Sequence, residues 1–157
     1  MTTSSLWYEL RDAVFRKDFD RASELLGANP ELTDVRNSIG ETVLHYLAVE
    51  NDVDGVQWLY SRGFSLNTKT EFCDPVLFEV ATLGYRELFL WLIEHGADPL
   101  ATNNDGQNIL DYLYDRFPID KGEENATVKM VAFLIENVPA IKNLDIMKRN
   151  TGSDESR

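Results

Sequence analysis

The sequence predicts an all-α solenoid of stacked helix pairs joined by hairpin-like turns, and three observations predict it. Landmarks recur at a period of 33 residues: Trp58 with Trp91, Leu59 with Leu92, Gly63 with Gly96, Leu44 with Leu77, Ala48 with Ala81, and Leu77 with Leu110. A period of that length is the signature of stacked two-helix units. Within each period, apolar residues fall at helical spacing, as with Leu88, Trp91 and Leu92. Gly84 and the run Gly96-Ala97-Asp98-Pro99 then close helices, because glycine tolerates a left-handed turn and proline cannot continue a helix. Helices this short cannot hold together alone, so each pair needs a neighbour.

Taken in order, Thr3 to Ser5 offer an N-cap and Glu9 favours the start of a first helix, with Leu6, Leu10, Ala13 and Val14 as its apolar stripe. Its polar residues Arg11, Asp12, Arg16 and Lys17 suit a terminal unit with one face in water. A second helix spans Phe19 to Leu26, carries Ala22, Leu25 and Leu26, and stops at Gly27-Ala28-Asn29-Pro30. Glu31 to Ile39 reads as a connection with extended and turn character, ending in a tight turn at Gly40. Thr42 caps the helix Val43 to Val49, Asn51-Asp52 breaks it, and Val53 to Arg62 is its partner, closed by Gly63. Pro75 to Ala81 and Arg86 to His95 form the third pair.

The fourth unit begins at Asn104 and is irregular. Leu134 sits 42 residues after Leu92, so an insertion of about nine residues near Pro118 to Asn125 separates its two helices. Val128, Val131, Ala132, Leu134 and Ile135 rebuild the stripe and Pro139 ends it. The domain is read as 1–147, with units at about 5–36, 37–69, 70–102 and 103–138 and a short C-terminal cap. Residues 148–157, almost without apolar content, are read as a disordered tail.

Composition narrows the function. Fifteen Lys and Arg against 27 Asp and Glu leave a formal net charge of −12, which repels nucleic acid and anionic membranes and attracts basic partners. The single cysteine, Cys73, excludes an internal disulfide and fits a reducing compartment. The first residues lack the basic start and apolar run of a signal peptide, and no apolar stretch approaches the ~20 residues of a membrane span. A cytoplasmic location is expected.

The stretch Gly40-Glu41-Thr42-Val43-Leu44-His45-Tyr46-Leu47-Ala48 resembles the G-x-T-P-L-H-x-A-A opening of an ankyrin repeat. Trp91-Leu92-Ile93-Glu94-His95-Gly96-Ala97-Asp98-Pro99 resembles its close. The resemblance covers about residues 8 to 138, with Asp111 standing where the fourth unit would carry the family's histidine. It implies a recognition scaffold rather than a particular chemistry. It also implies that His45 braces its hairpin turn by hydrogen bonding.

No constellation for catalysis is evident. His95 ends a helix, where it can satisfy free carbonyls. Cys73 occupies a glycine position in a hairpin, without a neighbouring base, and reads as an inert thiol. Phosphate loops, zinc spacings and nucleophile elbows are missing from the sequence, so neither enzyme activity nor a metal or cofactor is expected.

The resemblance implies two partner-binding surfaces. The hairpin tips are Ser38, Ile39 and Glu41, then Glu71, Phe72 and Asp74, then Asn104, Asp105 and Gln107; the helix ends are Val49 and Glu50, Thr82 and Leu83, Asp115 and Arg116. That set holds six acidic residues and one basic. Ile39 and Phe72, 33 residues apart, are expected to neighbour each other as an exposed apolar pair rimmed by Glu41, Glu71, Asp74 and Asp105, unless both fold back onto the hairpin. Tyr46, Glu79 and Tyr112 extend the surface, whereas Trp58 and Trp91 fall at core spacing. The expected partner is a basic protein met by a chain that is monomeric when free. Short acidic proteins of this repeat type resemble some bacterial immunity proteins that neutralise a toxin such as a nuclease; a general cytoplasmic scaffold is the alternative.

Overall fold

The computed structural model describes residues 2–116 and 125–152, with side chains to Met147. Its elements are α1 (Thr3–Phe15), α2 (Phe19–Ala28), a 3₁₀ turn (Pro30–Thr33), α3 (Val43–Val49), α4 (Val53–Ser61), α5 (Val76–Thr82), α6 (Arg86–Glu94), α7 (Ile109–Arg116), α8 (Ala126–Asn137) and α9 (Pro139–Gly152). Each odd helix from α1 to α7 packs against the even helix that follows it, and α1, α3, α5 and α7 also stack on one another in a row. At seven residues each, α3 and α5 are too short to persist alone. They bury Val43, Leu44, Leu47 and Ala48, then Val76, Leu77, Phe78, Val80 and Ala81, in one core that continues along the stack.

Three hairpin turns repeat the same local chemistry. Asn37 N–H donates to the Glu41 carbonyl and Gly40 N–H to the Asn37 carbonyl; Asn103, Gln107 and Gly106 repeat the pattern, as do Thr70, Asp74 and Cys73. The Asn37 side chain accepts from Ile39 N–H at 3.1 Å and Glu41 N–H at 2.9 Å, and Asn103 accepts likewise from Asp105 and Gln107. Gly40 needs to be glycine twice over. Its φ is +82°, and a Cβ there would lie 2.3 Å from the Glu71 backbone nitrogen of the next hairpin. Among the described residues the hairpins form one isolated antiparallel bridge, Lys69 to Pro75.

Neighbouring units are laced by bonds at about the repeat spacing. The Arg36 guanidinium donates to the Gly40 carbonyl and to that of Lys69, whose own ammonium donates to the Thr102 carbonyl at 2.9 Å. Tyr85 OH reaches the Val49 carbonyl at 3.0 Å.

Several expectations change. Thr2, not Thr3 to Ser5, caps α1, and Trp7 takes the core place expected of Leu6, which is half-buried. The turn in the connection expected to mix extended and turn character is a 3₁₀ turn over Pro30–Thr33 that buries Leu32, since Pro30 with its fixed φ starts helical turns readily. Trp58 and Trp91 are half-buried on the outer helices rather than in the core. Trp58 stacks on Phe19 and Trp91 on His95, the latter with ring centroids 4.0 Å apart. In α8 the buried residues are Met130, Val131 and Leu134, while Ala132 is exposed. Helix α9 continues to Gly152, past Lys148 where the tail was expected to begin, since Lys and Arg have high helix propensity. The insertion at 118–124 and the tail at 153–157 lie outside the described residues, while Asn125 caps α8 by accepting from Val128 N–H.

Candidate functional site

The tips of the first two hairpins, at residues 37–41 and 70–74, with the C-terminal ends of α3, α5 and α7, enclose a groove of about 470 Å³. Ile39, Phe72, Val49, Leu83, Thr70, Thr82 and Tyr112 line it together with Glu41, Asp74, Glu79 and Arg116. Stacking explains the assembly: residues 33 apart occupy equivalent places in adjacent units, so Ile39 and Phe72 come to the same mouth. Neither folds back. Ile39 is 52% and Phe72 67% exposed, and Leu83 stands 46% exposed beside them.

Ile39, Glu41, Val49, Phe72, Asp74, Thr82, Leu83 and Arg116 thus converge, and Glu79 and Tyr112 extend the lining. Ser38, Glu50, Glu71, Asn104, Asp105, Gln107 and Asp115 do not line it. Glu50, Glu71 and Asp105 are exposed, whereas Gln107 is half-buried and donates to Asp115 at 3.4 Å. Tyr46 belongs to a separate cluster at the N-terminal end, with Trp7 and the Arg11 guanidinium near its ring.

Glu41 is not a rim residue. It follows the positive-φ glycine, so the chain turns it inward, and it is only 7% exposed. Burial raises its pKa above the ordinary carboxylate range; nearby His45 works against the rise, and Glu79 and Glu50 add to it. Burial also raises Tyr112, against the pull of Arg116, whose guanidinium lies 5.1 Å from the Tyr112 ring centroid. Asp74 accepts from the Asn103 amide at 3.2 Å.

His45 departs from the bracing role that the resemblance implies. Its ring is fully buried, neither nitrogen makes a well-aligned hydrogen bond among the described residues, and Nε2 stands 3.3 Å from Glu79 Oε1 of the next unit. The contact therefore runs between units, not within the hairpin. In the fourth unit Asp111 takes a different part: Asn108 and Asp111 cap α7 reciprocally, each side chain accepting from the other's backbone N–H. His95 Nδ1 donates to the Trp91 carbonyl at 2.8 Å, as a helix-ending histidine should.

Sequence reasoning found the apolar pair through the period. It placed Glu41 among exposed acids because side-chain burial at a turn depends on the neighbouring hairpin, which the period does not describe. Among the described residues no three His, Cys, Asp or Glu side chains group as a metal site requires, and no helix is long and apolar enough to cross a membrane.

Residues 44–93, which span most of α3 to α6, match the family model described as ankyrin repeats (many copies). The helix pair and hairpin of that stretch recur on either side of it, in α1–α2 and in α7–α8. Over this stretch the chain is similar to ankyrin repeats, and such repeats are protein–protein interaction modules.

Proposed function

We propose that this chain is a non-enzymatic binding protein that uses the groove and the hairpin tips to hold a basic protein, and that it acts as an immunity protein neutralising a toxin. The observation that carries the reading is the composition of the groove. Exposed apolar residues stand at its mouth, and three carboxylates, Glu41, Asp74 and Glu79, face one guanidinium, Arg116. Apolar anchors within a charged surround are the usual anatomy of a recognition surface. A nuclease cleft shaped for phosphates offers the complementary charge, and long-range attraction between the two would speed their encounter.

The test is capture of partners from lysate of the source cell at low and at high salt, with wild type and with a Glu71→Lys, Asp74→Lys, Asp105→Lys variant. Glu41 is left unchanged because lysine in its buried place would threaten the fold. The reading expects one basic partner, weakened by salt and by the variant, whose toxic activity the wild-type chain abolishes at equal stoichiometry. Several neutral partners indifferent to salt and to the variant would replace it with a general scaffold.

A further inference from the structure

We infer that the groove contains an anchor subsite for one long cationic side chain, lysine or arginine, of the partner protein. Its apolar stem would lie between Ile39 and Phe72 and its charged end would meet Glu41 and Glu79. The inference rests on the groove being the binding face and names what that face grips.

Glu41 supplies the first argument. Glu41 as a residue is more than nine-tenths buried, and an acid in such a place is costly unless hydrogen-bonded or paired, so buried acids ordinarily have donors. The hairpin engages only the Glu41 backbone, through Asn37, and the influences on its carboxyl are burial and neighbouring charges, with no hydrogen bond among them. The nearest compensating groups are committed elsewhere. His45 faces Glu79, and Arg116 lies over Tyr112. Asp74 has a donor in Asn103, which leaves Glu41 as the acid of the groove without a protein donor among the described residues.

Geometry supplies the second argument. The mouth is apolar and exposed while the acid lies beneath it, so a ligand must pass an apolar rim before it meets charge. A small cation is not selected by such a rim, and an aliphatic side chain would find no use for the buried acid. A lysine or arginine presents an apolar stem and a charged tip in that order. Phe72 adds an exposed ring face that favours a cation. About 470 Å³ exceeds what one side chain fills, which leaves room for the backbone that carries it.

The test selects a displayed library of random short peptides on the wild-type protein and measures the winners against variants. The expected winners carry a lysine or arginine beside apolar residues. They lose about tenfold or more in affinity when Glu41→Gln or Glu79→Gln is introduced, and when the peptide's cationic residue is replaced by norleucine. Unchanged circular dichroism of the two variants establishes that the fold is kept. Winners that depend on Phe72 by Phe72→Ala but are indifferent to Glu41→Gln and to norleucine would overturn the anchor and leave the groove as the binding face. Winners indifferent to Phe72→Ala as well, or no winners at all, would overturn both.

Discussion

Glu41 is the residue at which stability and recognition pull apart. Its carboxyl is harder to ionise in the folded chain than in the unfolded one, because burial outweighs the help of His45. An acid whose folded pKa is raised favours the fold fully only below its unfolded pKa, and that contribution is lost as pH rises through the folded value. Glu41→Gln is therefore expected to raise the melting temperature near neutral pH, with the gain shrinking as pH falls below the ordinary carboxylate range. A loss of stability at neutral pH would show that the carboxylate has a donor after all. Asp52 shares the raised pKa for the same reason of burial, moderated by the hydrogen bond it accepts from Gly55 N–H as the cap of α4. Cys73 is the second instructive residue. It holds φ +59° where the equivalent Gly40 and Gly106 hold +82° and +72°. Cys73→Gly should stabilise the protein by roughly 0.5–1 kcal/mol in chemical denaturation, since a side chain in that region is strained. The glycine-like place of Cys73 was legible from the 33-residue period. The inward turn of Glu41 was not, because burial there comes from the next hairpin.

At the scale of elements, the hairpins rather than the helices set the geometry of the groove. Asn37 holds the first hairpin by accepting two backbone N–H groups, one of them that of Glu41. Asn37→Ala leaves those donors without their partner, and a destabilisation of about 1–2 kcal/mol in urea unfolding is expected. Leaving stability unchanged would mean that water replaces the side chain freely. The recurrence of this device at Asn103, with Thr70 in the weaker version between them, lies in the sequence at the repeat spacing. It went unread because asparagine before a turn is common and says nothing of which amides it will meet. The helix pairs themselves were readable throughout, since apolar spacing and capping residues act within one segment. The outer tryptophans were not: Trp58 and Trp91 keep helical register with core leucines, yet the even-numbered helices are covered on one side only, so bulky rings there stay half-exposed.

For the molecule as a whole, the main helix contacts among the described residues run within a unit or between adjacent units, so damage should stay local. Ile141 in α9 is fully buried, and α9 packs on α8. Ile141→Ala should cost about 2–4 kcal/mol, a core-cavity penalty. In hydrogen exchange the loss of protection should concentrate in α7 to α9 while α3 to α6 keep theirs. Uniform loss along the chain would mean that the stack opens as a single unit.

The central claim is that the groove between the first and second hairpins is the face that holds a partner. Hydrogen exchange on the complex with the captured partner tests it most directly. Added protection at residues 37–41 and 70–74, and at the C-terminal ends of α3 and α5, is the predicted result. Protection confined to the outer helices α4 and α6, with the hairpin tips unchanged, would contradict it.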